Sequence, residues 1–313
     1  MKKAALFIAK YFRVEKPSMP VYKLGAKDVI FHVINITVLL ALTLVCILPF
    51  YFLFVSTISS NYYVSQNLVT FWPRGITLQN YLLLFDISDF MRAFWITTAR
   101  TVLGTGSMVL LSSFAGYLFA NRKMWRRKLW YRLTIIPMYF NAGMIPWFLT
   151  MLSLGLTNTF LAYIIPMMIV PFNIILVKTY IESIPPDIEE SAKIDGAGIL
   201  TIFFKILLPL CIPILATIAI FGAVAHWNSL LDSLILNMNS PELFVLQHVL
   251  RNHLQDAANA RRFIIEANPN IILPDPRILQ NTIAIASALP IILVYPLLQR
   301  FFIKGMMIGA VKG

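Results

Sequence analysis

The residues in this sequence best suited to chemistry are a set of carboxylates. Glu182, Asp187, Glu189, Glu190 and Asp195 fall within I-E-S-I-P-P-D-I-E-E-S-A-K-I-D-G-A-G, residues 181–198. Hydrolytic or nucleophilic use of such acids needs partners that the chain does not supply. There is no H-E-x-x-H, no G-x-S-x-G and no pair of aspartates inside an apolar run. His248 and His253 are five apart, a poor metal spacing without further ligands. Cys46 and Cys211 both lie in apolar stretches, which argues against a disulfide framework or a metal cluster. No G-x-x-x-x-G-K-[ST] phosphate loop is present. The G-T-G-S at 104–107 lacks the lysine and sits in an apolar run, where small residues serve helix packing. What remains for the acids is recognition: a charged surface that another protein grips.

The elements that hold this surface follow from local rules. Ser183 can cap a helix, Pro185 and Pro186 suit its start, and Asp187, Glu189 and Glu190 in the first turns complement the helix dipole. Ile188 and Ala192 share a face by i,i+4 spacing, with Ser191 alongside. Gly196, after Asp195, can take the left-handed conformation that ends a helix. A second helix is expected from about Ile199, running into an apolar stretch that Pro209 and Pro213 bend or loosen. A helix, a glycine turn and a second helix make a rigid projection rather than a short irregular connector. An amphipathic helix lying on a membrane surface is the competing account, but such helices favour Lys and Arg on the polar side.

The rest of the chain reads as lipid-embedded. Of 313 residues, 58% are hydrophobic and 13% charged, with a net charge of +12 and pI near 9.8. Soluble domains carry about 25% charged residues. Nucleic-acid binding is not implied, because an apolar chain uses excess Lys and Arg in cytoplasmic loops. The start, M-K-K-A-A-L-F-I-A-K, has too short an apolar core for a cleaved signal. Six stretches meet the roughly 20-residue requirement for a spanning helix: 29–58, 94–120, 133–152, 160–181, 206–231 and 283–303. With the N-terminus inside, seventeen basic residues fall in cytosolic segments and six in outer loops, so both termini are placed in the cytoplasm. Arg100, Lys178 and Arg300 fall near span ends, where their side chains can snorkel to the interface.

The expected fold is therefore an all-α polytopic membrane protein with six transmembrane helices. It comprises a cytoplasmic tail (1–28), a six-helix domain (29–303) and a second cytoplasmic tail (304–313). The outer loops are 59–93 and 232–282, and the cytoplasmic loop carrying the acids is 182–205.

The loop resembles the EAA signature of ATP-binding-cassette (ABC) importer permeases: E-A-A, three residues, G, nine residues, I-x-L-P. Here Glu190-Ser191-Ala192 is followed by Gly196 and by Ile206-Leu207-Leu208-Pro209. Ser191 replaces the usual alanine, one small residue for another. The surrounding I-P-P-D-I-E-E-S-A-K-I-D-G-A, the H-W-N-S at 226–229 and the six-span plan resemble oligosaccharide-uptake permeases, from the first span to the C-terminus. The resemblance implies a type I importer fold and a coupling helix at Pro186–Ile194, with Glu190 and Ala192 contacting an ATPase and Gly196 as the turn. Asp187, Glu189, Ser191, Asp195 and Pro209 belong to the same coupling set. It also implies a non-catalytic subunit of the inner membrane, with ATP and Mg bound by two partner ATPase subunits. A second, homologous permease chain and an extracytoplasmic solute-binding protein complete the assembly.

A sugar path needs aromatic faces and amide or hydroxyl groups inside the bundle. The candidates are Tyr51, Asn141, Trp147, Asn173, His226, Trp227, Asn228 and Asp232. Each has a plainer role available: interfacial belt or packing for Trp147 and Trp227, hydrogen-bonded packing for His226, capping or pairing for Asp232. Arg251, His253, Arg261 and Arg262 form a basic outer cluster, suited to acidic oligosaccharides or, as the preferred expectation, to docking the binding protein. An ion-coupled secondary transporter is the alternative. It needs ionisable groups deep in the membrane, and Asp232 is the one acid placed just inside a span.

Overall fold

The computed structural model describes residues 25–85, 89–140, 142–267, 278, 280–294 and 296. Side chains are described for these apart from 26, 257–258 and 260–267. The two tails beyond those limits, Asn141, the side chains of Arg261 and Arg262, and the end of the sixth expected span lie outside the described residues. Among the described residues there is no strand.

Helix α1 (Ala26–Thr57) covers the first expected span. Its residues up to Phe52 form a unit of their own, and a second unit begins at Leu53. In the first unit Ile30, Phe31, Leu40, Val45 and Phe50 are all exposed. Water would penalise such a surface, whereas hydrocarbon accepts it.

In the second unit the central element is α2 (Phe90–Ala120), which is long and apolar enough to cross a membrane. Its pattern is the reverse of a soluble helix. Val102, Leu103 and Leu110 face outward, while Thr97, Arg100, Gly104, Met108, Ser112 and Gly116 form a buried stripe at three- and four-residue intervals. Lipid tails are as apolar as leucine, so association rests on close backbone approach and polar pairing, and small residues line the contact. Against this stripe pack α5 (Pro171–Glu182) and α7 (Ile212–Asn228). At Gly116 a Cβ would meet Val177 Cγ1 of α5 at 2.8 Å, and at Gly104 it would overlap the His226 ring of α7.

The remaining expected spans are interrupted, each at identifiable residues. The third divides into α3 (Arg127–Ile135), a 3-10 turn at Ile136–Met138, and α4 (Met144–Ser153). Pro137 and Gly143, the latter at φ +88°, bracket the break. The fourth begins as 3-10 turns at Phe160–Tyr163 and Ile165–Met167, then bends by 48° into α5, whose first residue is Pro171. In the fifth, Ile199–Leu210 and α7 meet at 81° around Cys211, between Pro209 and Pro213. Phe203–Leu207 is wound as π-helix, a form found frequently at functional sites. The sixth is described as α10 (Gln280–Val294).

The two long loops are ordered where described. In 59–93, Asn80 donates to the carbonyls of Thr57 (2.8 Å) and Ser59 (3.2 Å) and closes the loop back on α1's end. In 232–282, α8 (Leu231–Leu236) is followed by α9 (Leu246–Ala267). A core of Leu84, Phe90, Ala93, Trp227, Leu246, Leu250 and Ile283 joins α9 to α2, α7 and α10.

Candidate functional site: the coupling module

Helix α6 (Asp187–Ile194) lies where the acid-rich pattern predicts it, with Asp187, Glu189 and Glu190 in the first turn and Lys193 in the last. Pro186 occupies the N-cap position and offers no side-chain cap. Ser183, expected as the cap, instead donates to the Tyr180 carbonyl at 2.6 Å and closes the end of α5. At the other end the Gly196 N–H donates to the Lys193 carbonyl and the Ala197 N–H to the Ala192 carbonyl, both at 3.0 Å. This is a Schellman closure with Gly196 at φ +80° in the left-handed position. Two orphan carbonyls are satisfied within one turn, and the chain is aimed into Ile199–Ile202.

The module is held by one face. Ala192 is 7% exposed and belongs to a core with Tyr117, Val177, Ile181, Ile202, Phe203 and Leu207. The sequence-based expectation put Ala192 at the contact with an ATPase. The structure turns it inward, because its small side chain lets α6 approach the ends of α2 and α5. The Tyr117 ring stacks on Phe203 at 5.7 Å between centroids, and its hydroxyl donates to Glu189 at 3.4 Å. Glu189 also accepts from Lys193 at 2.6 Å. The opposite face is free: Asp187, Glu190 and Ser191 are exposed, and Ile194 is 86% exposed at the turn. An apolar tip ringed by acids, on a helix fixed from behind, can be gripped and can pass on rigid-body movement. Tyr117 and Phe203 were not singled out from sequence. Their signal is weak, since an aromatic in an apolar run has no local mark.

A second polar cluster joins the Phe90 end of α2 to α8. Arg100 is 0% exposed and pairs with Asp232, its Nη1 also donating to the Ser229 carbonyl at 3.2 Å. Asp232 accepts in addition from Ser229 Oγ (3.0 Å) and the Ser233 N–H (2.9 Å). The Arg100 guanidinium lies 4.5 Å over the Tyr163 ring, whose hydroxyl donates to the Leu243 carbonyl at 2.7 Å. Ser233 Oγ bonds His248 Nδ1 at 2.8 Å, and the His248 ring stacks on Phe244. Burial, with the Arg251 charge second, lowers the His248 pKa below its ordinary value. Snorkelling of Arg100 is thus overturned. A guanidinium inside the bundle needs a counter-charge, and Asp232, 132 residues on, supplies it. The acid on which ion-coupled transport would rest is already neutralised.

The described sugar-path candidates occupy different settings. Trp227 is core, donating Nε1–H to the Ser287 carbonyl at 3.0 Å, so it is not an interfacial belt residue. His226 is fully buried against Gly104, and among the described residues neither ring nitrogen has a hydrogen-bond partner. Asn173 is buried and donates to Met108 Sδ at 3.3 Å. Trp147 is half-buried and Asn228 exposed. Tyr51 belongs to the first unit. Of the basic outer cluster, Arg251 is exposed and His253 half-buried on α9.

An all-helical bundle with interrupted spans and a rigid acidic projection defines a membrane transport subunit moved by a partner. Residues 108–251 match the family of binding-protein-dependent transport system inner membrane components. The chain is 37% identical to Protein LplC of Bacillus subtilis (strain 168) over 286 residues, 91% of this chain and 95% of LplC. It is 34% identical to the polygalacturonan/rhamnogalacturonan transport system permease protein YtcP of the same strain, over 92% of this chain and all of YtcP. In fold it matches, at a TM-score of 0.77 and 30% identity, a chain of the crystal structure of a bacterial ABC transporter involved in the import of the acidic polysaccharide alginate. That match covers 90% of this chain and 99% of the other. The chain belongs to this family: it is a permease subunit of an ABC importer, non-catalytic itself, with ATP hydrolysis carried out by a separate ATPase.

Proposed function

We propose that this subunit translocates an oligosaccharide rich in uronic acid, handed over by a solute-binding protein and driven by an ATPase docked on α6. The observation that carries this reading is the coupling module: one face of α6 packed on Tyr117 and Phe203, the other exposed, with Gly196 closing the turn. ATP binding closes the ATPase pair, α6 moves with it, and the movement enters α2 through Tyr117 and the fifth span through the π-helical Phe203–Leu207. In this scheme six spans cross the inner membrane, both termini are cytoplasmic, and Pro186, Asp187, Glu189, Glu190, Ser191, Asp195, Gly196 and Pro209 form the coupling set, seated from behind by Ala192. A homologous second permease, two ATPase subunits with their ATP and Mg, and the binding protein complete the importer. Arg251 and His253 lie on the surface of α9 offered to the binding protein, and Arg261 and Arg262 follow further along the same helix. Among the described path candidates, Tyr51, Trp147 and Asn228 have accessible surface.

The acidic character of the solute is supported by the relatives, since YtcP is named for galacturonans and the solved relative for alginate. The test is uptake of labelled oligogalacturonate by cells expressing the full importer, with a neutral oligosaccharide of equal length as competitor. Uptake that only the acidic oligosaccharide competes for supports the reading. Competition by the neutral one alone overturns the acidic assignment.

A further inference from the structure

Between α2 and α3 the chain folds Arg122, Arg126, Arg127, Lys128, Leu129 and Arg132 around a concavity of about 570 Å³. Loop orientation needs basic residues on this side of the membrane, but it does not need them to converge on one hollow. Arg127 is neutralised, donating to Glu182 at 2.9 Å. Among the described residues Arg122, Arg126, Lys128 and Arg132 have no ion-pair partner. Four like charges facing one hollow repel unless an anion enters. In the same segment Trp125 and Trp130 are exposed, and Arg126 lies 4.8 Å over the Trp125 ring. Tryptophan at this level marks the headgroup region, and basic pockets beside cytoplasmic span ends suit lipid phosphates.

We infer that this hollow binds the phosphodiester headgroup of an anionic phospholipid. The site rests on the orientation proposed above for its leaflet, though not for the binding itself. It also touches the coupling module. The Arg127–Glu182 pair, with Lys178 on the same carboxylate at 2.7 Å, ties the hollow to the end of α5, five residues before α6 begins.

Native mass spectrometry of the intact importer in detergent tests this, with added phosphatidylglycerol or phosphatidylcholine of the same acyl chains. Wild type should retain phosphatidylglycerol in preference. The triple variant Arg122→Gln/Lys128→Gln/Arg132→Gln should lose at least about tenfold in apparent affinity, each cation near a headgroup being worth roughly fivefold. These side chains are exposed, so the variant should assemble normally, and intact subunit stoichiometry in the same spectrum checks that. Equal retention of the two lipids, or undiminished phosphatidylglycerol binding by the variant, overturns the site. Displacement of the lipid by millimolar inorganic phosphate would make it a free-anion site instead. Loss of the ATPase from the variant with lipid binding intact would make it a protein contact. Because the readout is bound lipid, failure here is separable from failure of the transport reading.

Discussion

Ala197 donates its backbone N–H to the carbonyl of Ala192 at 3.0 Å, across Gly196 in the left-handed conformation. Together with the bond from the Gly196 N–H to the Lys193 carbonyl, it closes the coupling helix and sets the direction of the chain that enters the fifth span. Ala192 itself is buried against the Tyr117–Phe203 pair, so the same residue ends the helix and seats it.

Gly196→Val should uncouple transport. Among the described residues a Cβ at Gly196 would meet nothing within 4 Å, so the penalty is conformational. A left-handed backbone costs an L-residue about 1–2 kcal/mol, and more if it is β-branched, enough to cut uptake roughly tenfold or more at normal membrane levels. Gly196→Asn, which tolerates this conformation, should stay near wild type. Uptake assays on both variants decide it, and full uptake by Gly196→Val would remove the turn from the account.

Asp232→Asn should lower stability in detergent by about 3–5 kcal/mol, because Arg100 is left buried and unpaired. The double variant Arg100→Met/Asp232→Leu should recover most of that loss. Thermal melts of the purified subunit measure both. A mild single variant, or a double variant worse than the single, would mean the pair is not the electrostatic unit described.

Gly104→Ala opposes two effects. Helix propensity favours alanine by about 1 kcal/mol. The added Cβ overlaps the His226 ring, and overpacking of this kind costs about 1–3 kcal/mol, so net destabilisation is expected. In a double-mutant cycle with His226→Ala the two losses should not add, since the smaller residue vacates the space the Cβ needs. Additive losses would contradict the close approach of α2 and α7.

Much of the coupling module was legible because its determinants are local. Acids in the first turn, a glycine after Asp195 and prolines on either side of Cys211 specify a start, a stop and a bend without tertiary information. Which face of α6 points inward was not legible. The i,i+4 spacing of Ile188 and Ala192 defines a shared face but not its partner, and the resemblance to ABC importer permeases implies an outward contact for Ala192 that the core contradicts. Arg100 was misread for a related reason. Counted along the chain it is a basic residue near a span end, and only folding brings Asp232 to it. The first two spans were readable from hydropathy. The break at Gly143 within the third was not, because apolar content alone does not distinguish one continuous helix from two short ones.

The measurement that tests the central claim most directly is ATP hydrolysis co-purifying with this chain in mild detergent, wild type against Glu190→Lys. Glu190 is exposed on the face of α6 that the core leaves free, so its charge reversal removes no core contact; it acts on the offered surface and costs the first turn of the helix only about 0.3–1 kcal/mol. Vanadate-sensitive hydrolysis with wild type, lost or strongly reduced with Glu190→Lys, is the predicted result. Undiminished ATPase association in the variant, or none in well-folded wild type, would contradict docking through this helix.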